Sequence, residues 1–218
     1  MNLIQNTLSA SQYMNDIRMM SEIKQIVLHH TCGSSADSAV SWWQQTTERV
    51  GTNFIIDKDG TVVQCFDLKY WAYHLYAASK SNSVPPQYKT FPHDRRLARA
   101  SVGIELVSAG ELTVKNGQFI SSYDKVIPKE SVITYEKPFR DCRFYEAYTK
   151  AQLESLSQLL QHLGPLLPHI PFKYNESMWQ TNIEAVKGTA GIWSHVSYRS
   201  DKSDCHPQKE LIAILKAF

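Results

Sequence analysis

Residues 26–29 read IVLH, a short run of β-branched and aliphatic side chains that ends in a histidine. A run of this kind is typical of a buried strand. The stretch SVGIELV at 101–107 has the same character, and GIWSH at 191–195 has the pattern of a last strand end. Because helical patterns lie between these runs, the sequence predicts an α/β (mixed α+β) fold with a central mixed sheet flanked by helices.

Turn and capping signals separate the predicted strands. In NFIIDKDGTVVQCF, Asp59-Gly60 stands between two β-rich runs, which predicts a hairpin. Ser35 or Asp37 can cap a helix that runs to about Arg49.

Two further helices are predicted in the second half of the chain. Thr149 forms a capping-box pattern with Gln152, and leucines follow at helical spacing until Gly164-Pro165 ends the helix. Pro207 is expected to open a final helix that reaches Phe218.

Three stretches do not follow the pattern of strands and helices. Residues 1–24 are expected to form a loosely structured N-terminal arm. Residues 77–99 are polar and contain prolines, and residues 108–148 are irregular apart from a short hairpin signal near Gly117. We therefore expect one domain over residues 25–218, with insertions at 77–99 and 108–148.

Composition excludes several classes of function. The chain has 218 residues with 43% hydrophobic residues, 20% charged residues and a formal net charge of +2, so no nucleic-acid partner is expected. No run of 18 apolar residues predicts a membrane span. The first residues lack the pattern of a signal peptide, which predicts a cytoplasmic protein. Four scattered cysteines give no CxxC pair and no disulfide framework.

Candidate metal ligands stand at the ends of predicted strands. His29 and His195 each end a strand, and Cys205 lies ten residues after His195, just before a helix. Two imidazoles and a thiolate suit zinc, and three protein ligands leave a fourth position open for water. Spacing alone cannot join residues this far apart in the chain.

Four segments together resemble a known family. They are IVLHHT, NFIIDKDGTVVQCF, SVGIEL and SHVSYRSDKSDCHP, and they occur in the family's order. The chain resembles the zinc-dependent N-acetylmuramoyl-L-alanine amidases, the family that includes the peptidoglycan recognition proteins. The resemblance covers residues 24–107 and 149–217. It implies a Zn²⁺ cofactor and cleavage of the amide bond between N-acetylmuramic acid and L-alanine in peptidoglycan.

The resemblance also implies which residues hold the metal. His29 matches the first zinc ligand, with His30 in the variable position after it, and His195 matches the second. The third ligand of the family is Cys or Asp near the end of the last loop. In this sequence Cys205 is preferred and Asp204 is the alternative, because a thiolate binds zinc more strongly.

Catalytic and substrate-binding residues follow from the same resemblance. Glu105 matches the family's general base, and Lys202 matches the lysine that stabilises the oxyanion. Thr52 stands where other members have a catalytic Tyr, and is expected near the substrate. Trp71 and His74 match a Trp-x-x-His region beside the substrate groove.

The expected biological role has two forms. One is a phage or prophage endolysin that waits in the cytoplasm and acts on the cell wall after release. The other is a cytoplasmic amidase that recycles small muropeptides. The long insertions favour the endolysin, and a monomer is expected.

Three rival readings remain open from the sequence. One is a hydrolase in which Cys205 is the nucleophile and His195 the base. The second is a module that binds peptidoglycan without cutting it. The third is a structural zinc site completed by His206 or His30.

Overall fold

The computed structural model describes residues 2–5, 8–75, 86–89 and 94–218. Its centre is a six-stranded sheet, confirming the predicted mixed sheet, and two smaller sheets follow from the middle of the chain. In chain order the strands are β1 (Leu3–Gln5), β2 (Gln25–His30), β3 (Phe54–Ile56), β4 (Val62–Gln64), β5 (Ser101–Leu106), β6 (Thr113–Lys115), β7 (Gln118–Ile120), β8 (Val126–Ile127), β9 (Val132–Phe139), β10 (Cys142–Glu146) and β11 (Gly191–Ser194).

Helices cover both faces of the central sheet. The α-helices are α1 (Ala36–Gln45), α2 (Arg95–Arg99), α3 (Lys150–Leu166), α4 (Ile183–Lys187) and α5 (Lys209–Leu215). Short 3-10 turns lie at Met20–Glu22, Pro86–Tyr88, Lys129–Ser131, Glu176–Trp179 and His195–Ser197. No helix in the described ranges combines the length and apolar character needed to cross a bilayer.

The central sheet has the strand order β1-β4-β3-β5-β2-β11. Strands β3, β5, β2 and β11 run parallel to one another, whereas β4 is antiparallel to β3. The carboxyl ends of parallel strands meet at one edge of a sheet, so the ends of β5, β2 and β11 lie together. This edge carries the candidate site.

Side-chain alternation divides the core into two layers. Phe54 and Ile56 of β3 pack in a large cluster with leucines of α3, whereas Ile55 packs on the opposite face with Val40 and Trp43 of α1. Successive residues of a strand point to opposite faces, which explains why β3 contributes to both layers.

The predicted helices are confirmed with adjusted ends. Ser35 caps α1, which ends at Gln45 rather than near Arg49. Thr149 and Gln152 form the predicted capping box of α3. This helix continues to Leu166, so Pro165 lies within its last turn and does not end it.

The middle of the chain is more ordered than the sequence predicts. Asn116 and Gly117 both have positive φ and join β6 to β7, so the hairpin signal near Gly117 is confirmed. Strands β9 and β10 form a second hairpin within the predicted insertion at 108–148. Of the predicted insertion at 77–99, the structure describes only the turn at 86–89 and the segment from residue 94 onward, and the remainder lies outside the described residues.

Residues 1–24 were expected to form a loose arm, but the described residues 2–5 and 8–24 contact the domain. Strand β1 pairs with β4, and Leu8 is fully buried. The guanidinium of Arg18 donates hydrogen bonds to the carbonyls of Leu68 (2.7 Å), Arg99 (2.8 Å) and Ser101 (2.6 Å). These contacts join the N-terminal segment to the start of β5.

Candidate metal centre and active site

A cleft of about 480 Å³ opens at the carboxyl edge of the parallel strands. One wall is helix α1, and the floor comes from β2 and β5. The polar side chains that line the cleft include those of His29, Thr52, His74, Glu105, His195, Lys202 and Asp204.

Three buried side chains converge at the bottom of the cleft. Nδ1 of His29 lies 3.1 Å from Nδ1 of His195 and 3.2 Å from Oδ2 of Asp204. Nδ1 of His195 lies 2.8 Å from the same carboxylate oxygen. Together these residues form a potential metal-binding group.

This donor set fits a tetrahedral zinc ion. Bonds of about 2.0–2.1 Å to zinc place neighbouring donor atoms about 3.3 Å apart, close to the three observed separations. Metal ligands must be deprotonated. Burial lowers the pKa of His195 to about 4, which keeps its imidazole neutral. Burial alone would raise the pKa of Asp204, but His195 and His29 hold it well below its usual range.

The local fold explains how these side chains meet. His29 lies in β2, and His195 begins the turn that directly follows β11, the neighbouring strand. The amide of Val196 donates a 3.1 Å hydrogen bond to the carbonyl of Asp204. This bond folds the loop back so that Asp204 lies beside His195.

Cys205, the preferred third ligand in the sequence analysis, does not reach this group. Its side chain is fully buried in the large apolar cluster and does not line the cleft. Burial raises the pKa of its thiol. The sequence pattern could not distinguish these two adjacent residues. The geometry favours Asp204, which was the alternative ligand. We therefore replace Cys205 by Asp204 in the proposed ligand set.

His30 and His206 also point away from the three converging donors. Nδ1 of His30 lies 3.1 Å from the hydroxyl of Tyr148. The ring of His206 stacks on Tyr148 at 4.4 Å, and its Nδ1 lies 2.8 Å from the hydroxyl of Tyr135. Neither histidine supplies the fourth protein ligand that a structural zinc site requires.

Glu105 lies next to His29 on the adjacent strand. The two residues are register partners in β5 and β2, so their side chains share one face of the sheet. Burial raises the pKa of Glu105 from its ordinary value of 4.5 to about 7. Its Oε2 is buried and makes no hydrogen bond to any described residue. A carboxyl group with this pKa can both accept and release a proton near neutral pH.

Lys202 and Thr52 occupy different parts of the cleft wall. Lys202 is half-buried on the loop that carries Asp204, and its charge lowers the pKa of nearby Glu105. Thr52 is buried, and its hydroxyl donates a 3.1 Å hydrogen bond to the carbonyl of Phe54. That hydroxyl is therefore already used by the backbone.

Trp71 and His74 do not share one role. Trp71 is only 1% exposed, does not line the cleft and packs beneath the guanidinium of Arg95 at 4.8 Å. Trp71 is therefore a residue of the protein core and does not have the substrate contact that was predicted for it. His74 lines the cleft, but its ring nitrogens contact His29 (3.0 Å) and Ser101 (2.9 Å).

The model of the N-acetylmuramoyl-L-alanine amidase family matches residues 19–207 of the sequence. The chain belongs to this family. Its membership supports an amidase activity on peptidoglycan. A search of curated proteins gives no significant match.

Among solved structures, PlyL shares the fold of this amidase-family chain. PlyL is 15% identical with a TM-score of 0.50, and the alignment covers 99% of this chain and 98% of PlyL. The catalytic domain of XlyA is 13% identical with a TM-score of 0.49, covering 99% of each chain. The N-acetylmuramoyl-L-alanine amidase LysC from Clostridium intestinale is 13% identical with a TM-score of 0.47, covering 97% of each chain.

Trp42 is a cleft residue of this amidase-family member that the sequence motifs did not identify. Both Trp42 and Trp43 line the cleft from α1, but Trp42 remains 59% exposed whereas Trp43 is buried against the core. The sequence held a signal for it: Val40 and Trp43 define the buried face of the helix, so Trp42 must lie off that face.

Proposed function

We propose that the protein is a zinc-dependent N-acetylmuramoyl-L-alanine amidase that cuts peptidoglycan between N-acetylmuramic acid and L-alanine. The observation that carries the proposal is the convergence of His29, His195 and Asp204 at the bottom of an open cleft, beside Glu105. The three donor side chains already meet within one chain, and we propose that the protein acts as a monomer.

The proposed ligands are two neutral imidazoles and one carboxylate. Zinc bound by three protein ligands keeps one coordination position open, where it lowers the pKa of water and polarises a carbonyl group. The deep burial of all three side chains favours a bound cation, because the negative charge of Asp204 is otherwise held away from solvent.

Glu105 is proposed as the general base. Its carboxylate accepts a proton from the attacking water and then delivers that proton to the nitrogen of the leaving L-alanine. A pKa of about 7 matches both steps at neutral pH. The absence of a hydrogen-bond partner for Oε2 among the described residues leaves that oxygen available for water.

Lys202 is proposed to stabilise the negative charge that develops on the amide oxygen. Its ammonium group lies on the cleft wall and acts electrostatically on both Glu105 and His195. Removal of a donor that stabilises an oxyanion costs about 100-fold or more in rate.

The rival readings receive less support from the geometry. A cysteine nucleophile must be accessible and easily ionised, whereas Cys205 is fully buried and its thiol pKa is raised. Among the described residues, the group has three protein donors and not the four of a structural zinc site, while His30 and His206 contact tyrosines. A module that only binds peptidoglycan has no need of the unpaired carboxyl oxygen of Glu105.

Digestion of purified sacculi tests the proposal. We expect release of soluble peptides that begin with L-alanine, identified by mass spectrometry, loss of this release in EDTA and its return with added Zn²⁺. Glu105→Gln is expected to bind zinc and to release almost nothing, with Glu136→Gln, an exposed strand residue, as the matched control. Full activity without metal, or binding of sacculi without cleavage by the zinc-loaded protein, contradicts the proposal.

For the biological role we propose an endolysin that acts on the polymeric wall after release from the cytoplasm. An open cleft with the exposed ring of Trp42 on its wall suits a long glycan strand, because an aromatic face can pack on a sugar. The test compares initial rates on intact sacculi and on soluble muropeptides. Rapid cleavage of muropeptides with no cleavage of sacculi identifies a recycling enzyme instead.

A further inference from the structure

His74 joins the proposed ligand His29 to the start of strand β5. Nε2 of His29 lies 3.0 Å from Nδ1 of His74, and Nε2 of His74 lies 2.9 Å from Oγ of Ser101. The hydroxyl of Ser101 in turn donates a 2.7 Å hydrogen bond to the carbonyl of Leu97. These contacts form an unbroken chain from a backbone carbonyl to the metal centre.

The carbonyl of Leu97, at the end of this series of hydrogen bonds, determines the direction of each bond in it. A carbonyl can only accept, so the single hydroxyl proton of Ser101 points to Leu97. The Ser101 oxygen must therefore accept from Nε2–H of His74. A neutral imidazole carries one N–H, which leaves Nδ1 of His74 as an acceptor for Nε2–H of His29.

We propose that His74 and Ser101 fix the tautomer of His29, so that the lone pair of its Nδ1 always faces His195 and Asp204. This inference rests on the metal site of the proposed function. It makes His74 a positioning residue that acts through His29, rather than a residue that binds substrate. A partner on the far nitrogen of a metal-binding histidine commonly sets both ring orientation and ligand basicity.

Contacts around these hydrogen-bonded side chains hold His74 in place. Gly103 lies beneath its ring, and a Cβ at that position would approach Nδ1 of His74 to 3.1 Å. The carbonyl of Ser101 accepts a 2.6 Å hydrogen bond from Arg18, which anchors the far end of the chain.

His195 provides an internal contrast. Its Nε2 is buried and has no hydrogen-bond partner in the described part of the chain, although its Nδ1 faces Asp204 in the same way. Of the two histidines, His29 is thus the one whose far nitrogen is held by protein atoms.

A pair of substitutions at position 74 separates the hydrogen bond from simple packing. His74→Leu keeps an apolar volume but removes the acceptor, whereas His74→Asn places an amide oxygen near the former Nδ1. With a chromophoric chelator as competitor, we expect zinc affinity to fall about 10- to 100-fold in His74→Leu and to stay within about threefold of wild type in His74→Asn. Equal affinities of His74→Leu and wild type overturn the proposal.

The tautomer can be observed directly in the metal-free protein. Long-range ¹H–¹⁵N spectra of ¹⁵N-histidine-labelled protein should show His29 protonated at Nε2 in wild type and a mixture of tautomers in His74→Leu. If His74→Leu does not fold, Ser101→Ala gives the same test, because it removes the acceptor for His74. An unchanged single tautomer of His29 in the folded variant contradicts the proposal.

These measurements also separate the two proposals. A wild-type protein that binds zinc with the expected tautomer and leaves sacculi intact defeats the proposed activity alone. An active, zinc-dependent wild type whose His74→Leu variant keeps its zinc affinity defeats the inference about His74 alone.

Discussion

Ionisation of the buried Glu105 side chain lowers the stability of the folded protein. Burial raises its folded-state pKa from 4.5 to about 7, so the metal-free folded protein holds this proton more tightly than the unfolded chain. Stability from this group is therefore complete below pH 4.5 and is lost as pH rises to about 7. The loss corresponds to about 3 kcal/mol in the free energy of unfolding.

Glu105→Gln should remove this dependence on pH. We expect the metal-free variant to match wild type near pH 4 and to exceed its unfolding free energy by up to about 3 kcal/mol near pH 8. Urea denaturation at both pH values measures the difference, with Glu136→Gln as the exposed control. A variant that is no more stable than wild type at pH 8 contradicts the raised pKa.

The adjacent pair Asp204 and Cys205 gives a second prediction at the scale of one residue. Asp204→Asn keeps the shape of the side chain but removes its charge, so we expect loss of tightly bound zinc and of activity. Cys205→Ala removes a buried sulfur outside the cleft, so zinc binding should persist at a cost of about 1 kcal/mol in stability. The zinc content of each variant after dialysis shows whether Asp204 or Cys205 is the third ligand. If Asp204→Asn retains zinc and Cys205→Ala loses it, the ligand is the cysteine.

Strand β5 places three different groups on one face of the sheet. Ser101, Gly103 and Glu105 alternate with buried apolar residues, and they supply a hydroxyl, an empty space and a carboxyl group in turn. The space at Gly103 is needed because an added Cβ would lie 2.6 Å from the methyl carbon of Thr52. The strand therefore shapes the site through the missing side chain of Gly103 as well as through the side chains of Ser101 and Glu105.

Gly103→Ala is expected to disturb both Thr52 and His74. Overpacking of this kind costs about 1–3 kcal/mol, which thermal or urea unfolding can measure. Gly51→Ala is the matched control, since its added carbon would meet Leu8 and Trp43 at ordinary contact distances of 3.4–3.6 Å. Equal stability of Gly103→Ala and Gly51→Ala contradicts the close packing described above.

The elements that the sequence predicted best are those with a local signal. Val27 and Ile104 lie in continuous apolar runs, and Thr149 with Gln152 forms a cap within one turn. Strand β1 had no such signal, because its three residues are exposed and its pairing of Leu3 with Val62 depends on a distant partner. Trp71 and Cys205 were misplaced for a similar reason, since the direction of their side chains depends on contacts far away in the chain.

At the scale of the whole molecule, the proposed metal joins three separate segments. His29, His195 and Asp204 come from β2, the turn after β11 and the following loop. A ligand that binds only the folded state stabilises it by about 4 kcal/mol at a free concentration 1,000 times its Kd. We expect added Zn²⁺ to raise the melting temperature of wild type and to leave that of Asp204→Asn nearly unchanged. A wild-type melting temperature that does not respond to zinc or EDTA opposes the metal site.

The strand order of the central sheet has a consequence for synthesis in the cell. Strands β2 and β11 are neighbours, yet His29 and His195 are separated by 166 residues of chain. At roughly 5–20 residues per second, a ribosome needs roughly 10–30 s to pass from the first histidine to the second. A nascent or stalled polypeptide thus carries only one of the three donors for most of its translation. Such a chain lacks the complete donor group until β11 and the following loop with Asp204 have emerged and docked.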